Sequence, residues 1–182
     1  MPRIPVHTID DAPDAARDGL EALRRKFGKV MNIHAGMAHS PVVLAVYQGM
    51  QQAIAEHGSF DARTREAIAL TVGAVNSCTY CQSAHTAAAK AAGLSVEDTL
   101  AIRAGSVDFD PRLSALLAVA REIAGERGEV HDRTWDTALD AGWSDEQLAE
   151  AFAHVAVNLF TNYFNHYAGT DLDVPAAPGL DG

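Results

Sequence analysis

Residues 66–85 read EAIALTVGAVNSCTYCQSAH, and this stretch decides the fold. Ile68, Leu70, Val72 and Val75 make its first half an apolar, helix-spaced segment. Asn76-Ser77 then breaks the run and offers capping side chains to a second helix. Cys78 and Cys81 are three residues apart, and Cys81 and His85 are four apart. At ~3.6 residues per turn all three fall on one helix face.

The same helical grammar continues in both directions. Upstream, one helix spans about 14–27 and stops at Gly28. A second opens on Ser40 and Pro41, where proline's missing N–H costs nothing, and ends near Gly58. The segment 61–75 is the third. The Cys-bearing helix is the fourth and runs through alanines to Gly93. Downstream, Ser95-Val96-Glu97-Asp98 and Ser144-Asp145-Glu146-Gln147 read as capping boxes. Asp110-Pro111 opens another helix, 131–141 a further one, and the last reaches about Tyr167. No β alternation or hairpin turn is present. The expectation is an all-α fold of about seven to eight helices in a single domain over 1–170. Residues 171–182, with Pro175 and Pro178, are expected to be a C-terminal arm rather than a packed element. Segments 63–80 and 147–164 echo each other weakly, matching Glu66 with Glu150. The second copy has no cysteine and would not be a second active site.

Composition narrows the function. The chain has 182 residues, 48 % hydrophobic and 21 % charged, with a formal charge of −10. An acidic surface argues against nucleic acid and against anionic membranes. No apolar run reaches the ~18–20 residues of a transmembrane helix. The first 25 residues lack a basic start and an apolar stretch, so a cytoplasmic location is expected. Two cysteines are too few for a disulfide scaffold, and a close pair in a reducing compartment points to redox or metal chemistry.

The thiolate is the reactive form of cysteine, and a free thiol has a pKa of ~8.5. A helix N-terminus favours a thiolate at Cys78, whereas His85 is placed to take the proton of Cys81. A peroxide would oxidise one sulfur to a sulfenic acid, and the other would displace water to form a disulfide. This predicts an enzyme, a peroxidase or disulfide exchanger. A second reading is a non-enzymatic helical oligomer whose Cys/His residues are structural or bind metal. Zinc would need a fourth ligand beyond Cys78, Cys81 and His85, and Glu66 could supply it. A third reading is a pair of inert buried cysteines.

The run from Glu66 to His85 resembles the alkyl hydroperoxidase D (AhpD)-like branch of the carboxymuconolactone decarboxylase family. The likeness spans about residues 40–104. The later Asn158-Leu-Phe-Thr-Asn-Tyr-Phe-Asn-His166 and Asp171-Leu-Asp-Val-Pro175 resemble its peroxidase-related members. The resemblance implies thiol-dependent reduction of hydroperoxides, an external thiol reductant and a homo-oligomer, trimer or hexamer. It implies no haem, flavin or metal cofactor. It makes Cys81 the peroxide-attacking sulfur, Cys78 its more exposed resolving partner, and Glu66 and His85 a proton relay. The decarboxylase branch lacks the cysteine pair, which argues against decarboxylation. Where the best-known members carry a second histidine, this chain has Tyr80, a weaker proton shuttle with a pKa of ~10.

The last helix carries His154, Asn158, Asn162 and His166 at four-residue steps, with Asn165 beside them. Such a stripe either hydrogen-bonds a neighbouring helix or lines an oligomer interface. A sharper expectation is that His154 or Asn158 borders the thiol pocket.

Overall fold

The computed structural model describes residues 2–180. Among them are nine α-helices and no strand: α1 Asp14–Phe27, α2 Asn32–Met37, α3 Pro41–His57, α4 Ala62–Val75, α5 Thr79–Ala91, α6 Val96–Ala104, α7 Pro111–Gly125, α8 Asp132–Asp140 and α9 Asp145–Ala168. The all-α expectation holds. The added element is α2, six residues long, which has no side-chain cap and no exposed face to give it a period. The capping boxes at Ser95–Asp98 and Ser144–Gln147 form as read, each with both reciprocal hydrogen bonds.

Helix α4 is the centre of the molecule. Residues 67–73 are all buried, and α4 packs against α5, α6, α7 and α9. One apolar core lies between α4, α7, α8 and α9, around Leu70, Leu116, Ile123, Leu148 and Val155. A second lies between α1, α2, α3 and α5, around Leu20, Met37, Leu44 and Tyr47, and it contains both cysteines.

The turn between α4 and α5 fixes the cysteines. The Cys78 N–H donates to the Gly73 carbonyl at 2.9 Å, and the Ser77 N–H donates to the Ala74 carbonyl at 3.0 Å. This is a Schellman closure, and it places Ser77 in the left-handed region at φ 52°. A non-glycine residue there costs ~1 kcal/mol. Cys78 is therefore not inside the helix, as its spacing suggested, but is the N-cap of α5. Its sulfur accepts the Cys81 N–H at 3.3 Å.

Residues 171–180 of the C-terminal arm form no helix or strand but are tethered to the helices. Asp173 accepts hydrogen bonds from the Tyr80 hydroxyl at 2.6 Å, the Lys29 ammonium at 3.0 Å and the Asn32 N–H at 3.2 Å. Further along, the Ala177 N–H donates to Ser83 Oγ and Arg103 donates to the Pro178 carbonyl. The segment is strapped over α2 and α5 by polar contacts, which its proline-rich, periodless sequence could not announce.

Candidate active site

Glu66, Tyr80, Cys81, His85, His154 and Asn158 all line one cavity of about 490 Å³. Tyr47, His34 and Asn165 also line it, and Val174 of the arm contributes to its wall. Cys78 does not line it. The two sulfurs are 2.6 Å apart, close to the ~2.05 Å of a disulfide, and both cysteines are free thiols. Cys78 is 1 % exposed and Cys81 3 %. The expected greater exposure of Cys78 is thus corrected: it is as buried as Cys81, and of the two only Cys81 lines the cavity.

The sulfurs titrate as a pair. Cys78 is held down to about 7, first by the Cys81 thiol hydrogen-bonded to it, against burial. The Cys81 N–H, His166 and Asn165 add to the effect. Cys81 is pushed up, first by that same shared hydrogen bond, then by burial and by the charge on Cys78. The first proton therefore leaves readily and the second is retained between the sulfurs.

Glu66 and His85 meet across α4 and α5. The ring Nδ1–H donates to the Glu66 carboxylate at 2.7 Å, with His85 29 % and Glu66 24 % exposed. Burial lowers the basicity of His85, but the charge and hydrogen bond of Glu66, aided by Cys78, outweigh it and hold the imidazolium above its ordinary range. Glu66 would otherwise read as a solvated first-turn glutamate. Tyr80 is occupied elsewhere. Burial raises its pKa, and its bond to Asp173 raises it further, so its proton stays on the phenol.

The stripe on α9 divides into parts. The Asn158 side-chain amide donates to the His154 backbone carbonyl, and Asn162 Oδ1 accepts from the Asn76 side-chain amide. The His166 ring bonds the Asn76 carbonyl at 3.0 Å. These two residues pin the C-cap of α4 and so the thiol turn. The Asn165 amide donates to Cys81 Sγ at 3.2 Å, with a longer 3.9 Å approach to Cys78 Sγ. Asn165 is thus a thiol contact that the sequence reading placed only beside the stripe. Its offset from the four-residue ladder was the one available signal. Tyr47 and His34 gave no signal, because each stands alone in its segment.

Residues 41–122 match the carboxymuconolactone decarboxylase family. That stretch holds Glu66, both cysteines and His85, and the chain as a whole has an AhpD-like fold. Similar solved structures share the fold over nearly the whole length. A peroxidase-related AhpD-core protein from Ralstonia eutropha JMP134 superposes with a TM-score of 0.84 at 23 % identity, covering 94 % of this chain and 92 % of that one. A peroxidase-related protein from Silicibacter sp. TM1040 gives 0.77 at 19 % identity, with 92 % and 91 % coverage. The debrominase Bmp8, in a cysteine-to-alanine form with 2,3,4-tribromopyrrole, gives 0.78 at 18 %, with 93 % and 91 % coverage. No curated protein matches the chain. Within the AhpD-like frame the Cys-x-x-Cys pair sits at the α4–α5 turn. Among the described residues no three His, Cys, Asp or Glu side chains are grouped to hold a metal ion, and no helix is long and apolar enough to cross a membrane.

Proposed function

We propose that this protein is a thiol-dependent peroxidase and disulfide oxidoreductase that reduces organic hydroperoxides. The observation that carries this reading is the placement of Cys81. Cys81 lines the cavity that Glu66 and His85 also line, and Cys78, outside that lining, has its sulfur within bonding reach.

Acidity and access favour different sulfurs, and we take access as the guide. Cys78 is the easier thiol to ionise, but it does not line the cavity that Cys81 lines. As the remaining proton passes from Cys81 to Cys78, the Cys81 thiolate attacks the distal peroxide oxygen. The O–O bond breaks, and the alkoxide leaves as an alcohol with a proton from the His85 imidazolium, which Glu66 stabilises. Cys81 is then a sulfenic acid. Cys78 attacks that sulfur, water leaves, and the Cys78–Cys81 disulfide closes. Two equivalents of an external thiol restore the dithiol. With Cys78 buried, that thiol enters through the cavity and attacks Cys81.

Asn165 supports the anionic sulfur through its amide hydrogen bond. Self-association would use α9, where Phe152, Tyr163 and Tyr167 present exposed aromatic rings. A halogenated ring is the alternative substrate, since Phe27, His34, Tyr47 and Tyr80 give the cavity an aromatic lining and the debrominase of this fold binds a brominated pyrrole.

Rapid-mixing oxidation with cumene hydroperoxide tests the assignment. Cys78→Ser should accumulate a dimedone-reactive sulfenic acid, and Cys81→Ser should show no fast phase. The opposite pattern would interchange the sulfurs. Loss of neither would end the thiol reading.

A further inference from the structure

Among the described residues, Val174 is the one residue beyond α9 that lines the cavity of Cys81. The chain leading to it is fixed at a definite point. Helix α9 stops at Ala168, and Gly169 follows in the left-handed conformation at φ 64°. The Thr170 N–H then donates back to the Asn165 carbonyl at 3.1 Å. From Asp171 onward the arm has no helix or strand of its own.

One carboxylate ties this segment to two sides of the cavity. Asp173 accepts from the Tyr80 hydroxyl of α5 at 2.6 Å, and from Lys29 and the Asn32 N–H of the α1–α2 segment at 3.0 Å and 3.2 Å. Tyr80 and Lys29 both line the cavity. The Asn32 amide also holds the Asp171 carbonyl at 3.0 Å. Further along, the Ala177 N–H donates to Ser83 Oγ at 3.1 Å, and Arg103 donates to the Pro178 carbonyl at 2.7 Å. The two attachments on α5, Tyr80 and Ser83, lie on either side of Cys81 in the chain. Pro175 and Pro178 favour extended backbone at Val174 and Ala177, so the span between attachments is stiff. Of residues 171–178 only Asp173, Val174 and Ala177 are half-buried, and the other five are exposed. A segment held by polar contacts at its surface, with one apolar side chain inside, opens at far less cost than the packed helices around it.

We propose that residues 171–178 are a hinged cover of the cavity, latched by Asp173, whose opening admits bulky reactants to Cys81. On the peroxidase reading that reactant is the external thiol that reopens the Cys78–Cys81 disulfide. The cover itself rests on the cavity and the arm alone.

Modification of Cys81 in a Cys78→Ser background tests the cover without any hydroperoxide. Dithiobis(nitrobenzoate) is the bulky probe and methyl methanethiosulfonate the small one. Both react with the thiolate, so altered acidity of Cys81 moves the two rates together, and altered access moves their ratio. Asp173→Ala should raise the bulky-to-small ratio about tenfold, the effect of losing a charged hydrogen-bond acceptor. Ser83→Ala, which removes only the Ala177 attachment and lies outside the cavity lining, should raise it about threefold. Amide exchange should quicken in the arm and stay unchanged in α5. A ratio unchanged in both variants, or two rates that rise together, overturns the cover. Faster exchange throughout α5 in both variants also overturns it and makes the arm a brace. With Cys78 present, reduction of the disulfide by glutathione should be faster in Asp173→Ala by the same factor. A responsive ratio with no reaction towards hydroperoxide leaves the cover and removes the peroxidase reading. A fast hydroperoxide reaction with an unresponsive ratio does the reverse.

Discussion

Two of the histidines lining the cavity are paired with glutamates, and the pairs behave oppositely. Glu66 and His85 meet between two helices, 2.7 Å apart and partly open to the cavity. Glu150 and His154 are four residues apart on α9, 3.1 Å apart and more deeply buried. Glu66 holds the His85 imidazolium above its usual range. His154 is lowered, because burial outweighs its glutamate. The charge of Arg65 lowers it further. The two carboxylates also differ in what else they do. Glu150 also accepts the N–H groups of Ser59 and Phe60 and the Ser59 hydroxyl, so it is committed to tying the α3–α4 loop to α9. Glu66 has no such duty. The faint echo between 63–80 and 147–164 therefore relates one chemical pair to one architectural pair.

The sharpest way to break this contrast is to remove each carboxylate charge in turn. Glu66→Gln should slow peroxide-driven thiol oxidation by about 10²-fold, the lower end of general acid–base effects, measured by stopped-flow fluorescence. Glu150→Gln should leave that rate within about threefold and instead lower stability by ~1–3 kcal/mol in urea melts, since buried donors lose a charged acceptor. If Glu150→Gln slows the chemistry as much as Glu66→Gln, the division of labour fails.

Acidity separates the pairs more finely. His85 has a raised folded pKa, so its stabilisation is full below ~6.5 and fades as pH rises through the higher folded value. His154 has a lowered one, so it costs stability as pH falls below ~6.5, where the unfolded ring takes a proton. Glu66→Gln should therefore reduce the melting temperature more at pH 6 than at pH 8, and His154→Gln should flatten the loss between pH 6.5 and 5. Thermal scans by circular dichroism across that range decide it. The smallest expected effect lies outside both pairs. Tyr80→Phe removes the Asp173 hydrogen bond and should loosen the arm at a cost of ~1 kcal/mol, visible as faster amide exchange after Thr170 with the helical core unchanged.

Local chemistry made much of the fold legible. Asp110-Pro111, Ser95–Asp98 and Ser144–Gln147 act on their own first turns, so their caps could be read without knowing any neighbour. Helix α2 was not legible because all its residues from Ile33 to Met37 are buried, which erases periodicity. In the site, the one-face placement of Cys81 and His85 followed from helical spacing. The relation of Cys78 to Cys81 did not, because it depends on a left-handed Ser77 and a Schellman closure. His154 and Asn158 line the cavity, yet Asn165, one step off their ladder, hydrogen-bonds the Cys81 sulfur.

By itself the sequence determined an all-α chain with two thiols and an imidazole on one helical segment, since caps and period act over three or four residues. Only the tertiary structure decided which cysteine lines the cavity, which glutamate raises the pKa of its histidine, and that Asp173 returns to hold Tyr80. Those outcomes depend on burial and on partners 19 to 93 residues away, and no local pattern encodes the dielectric or the hydrogen bonds that such distant segments bring together.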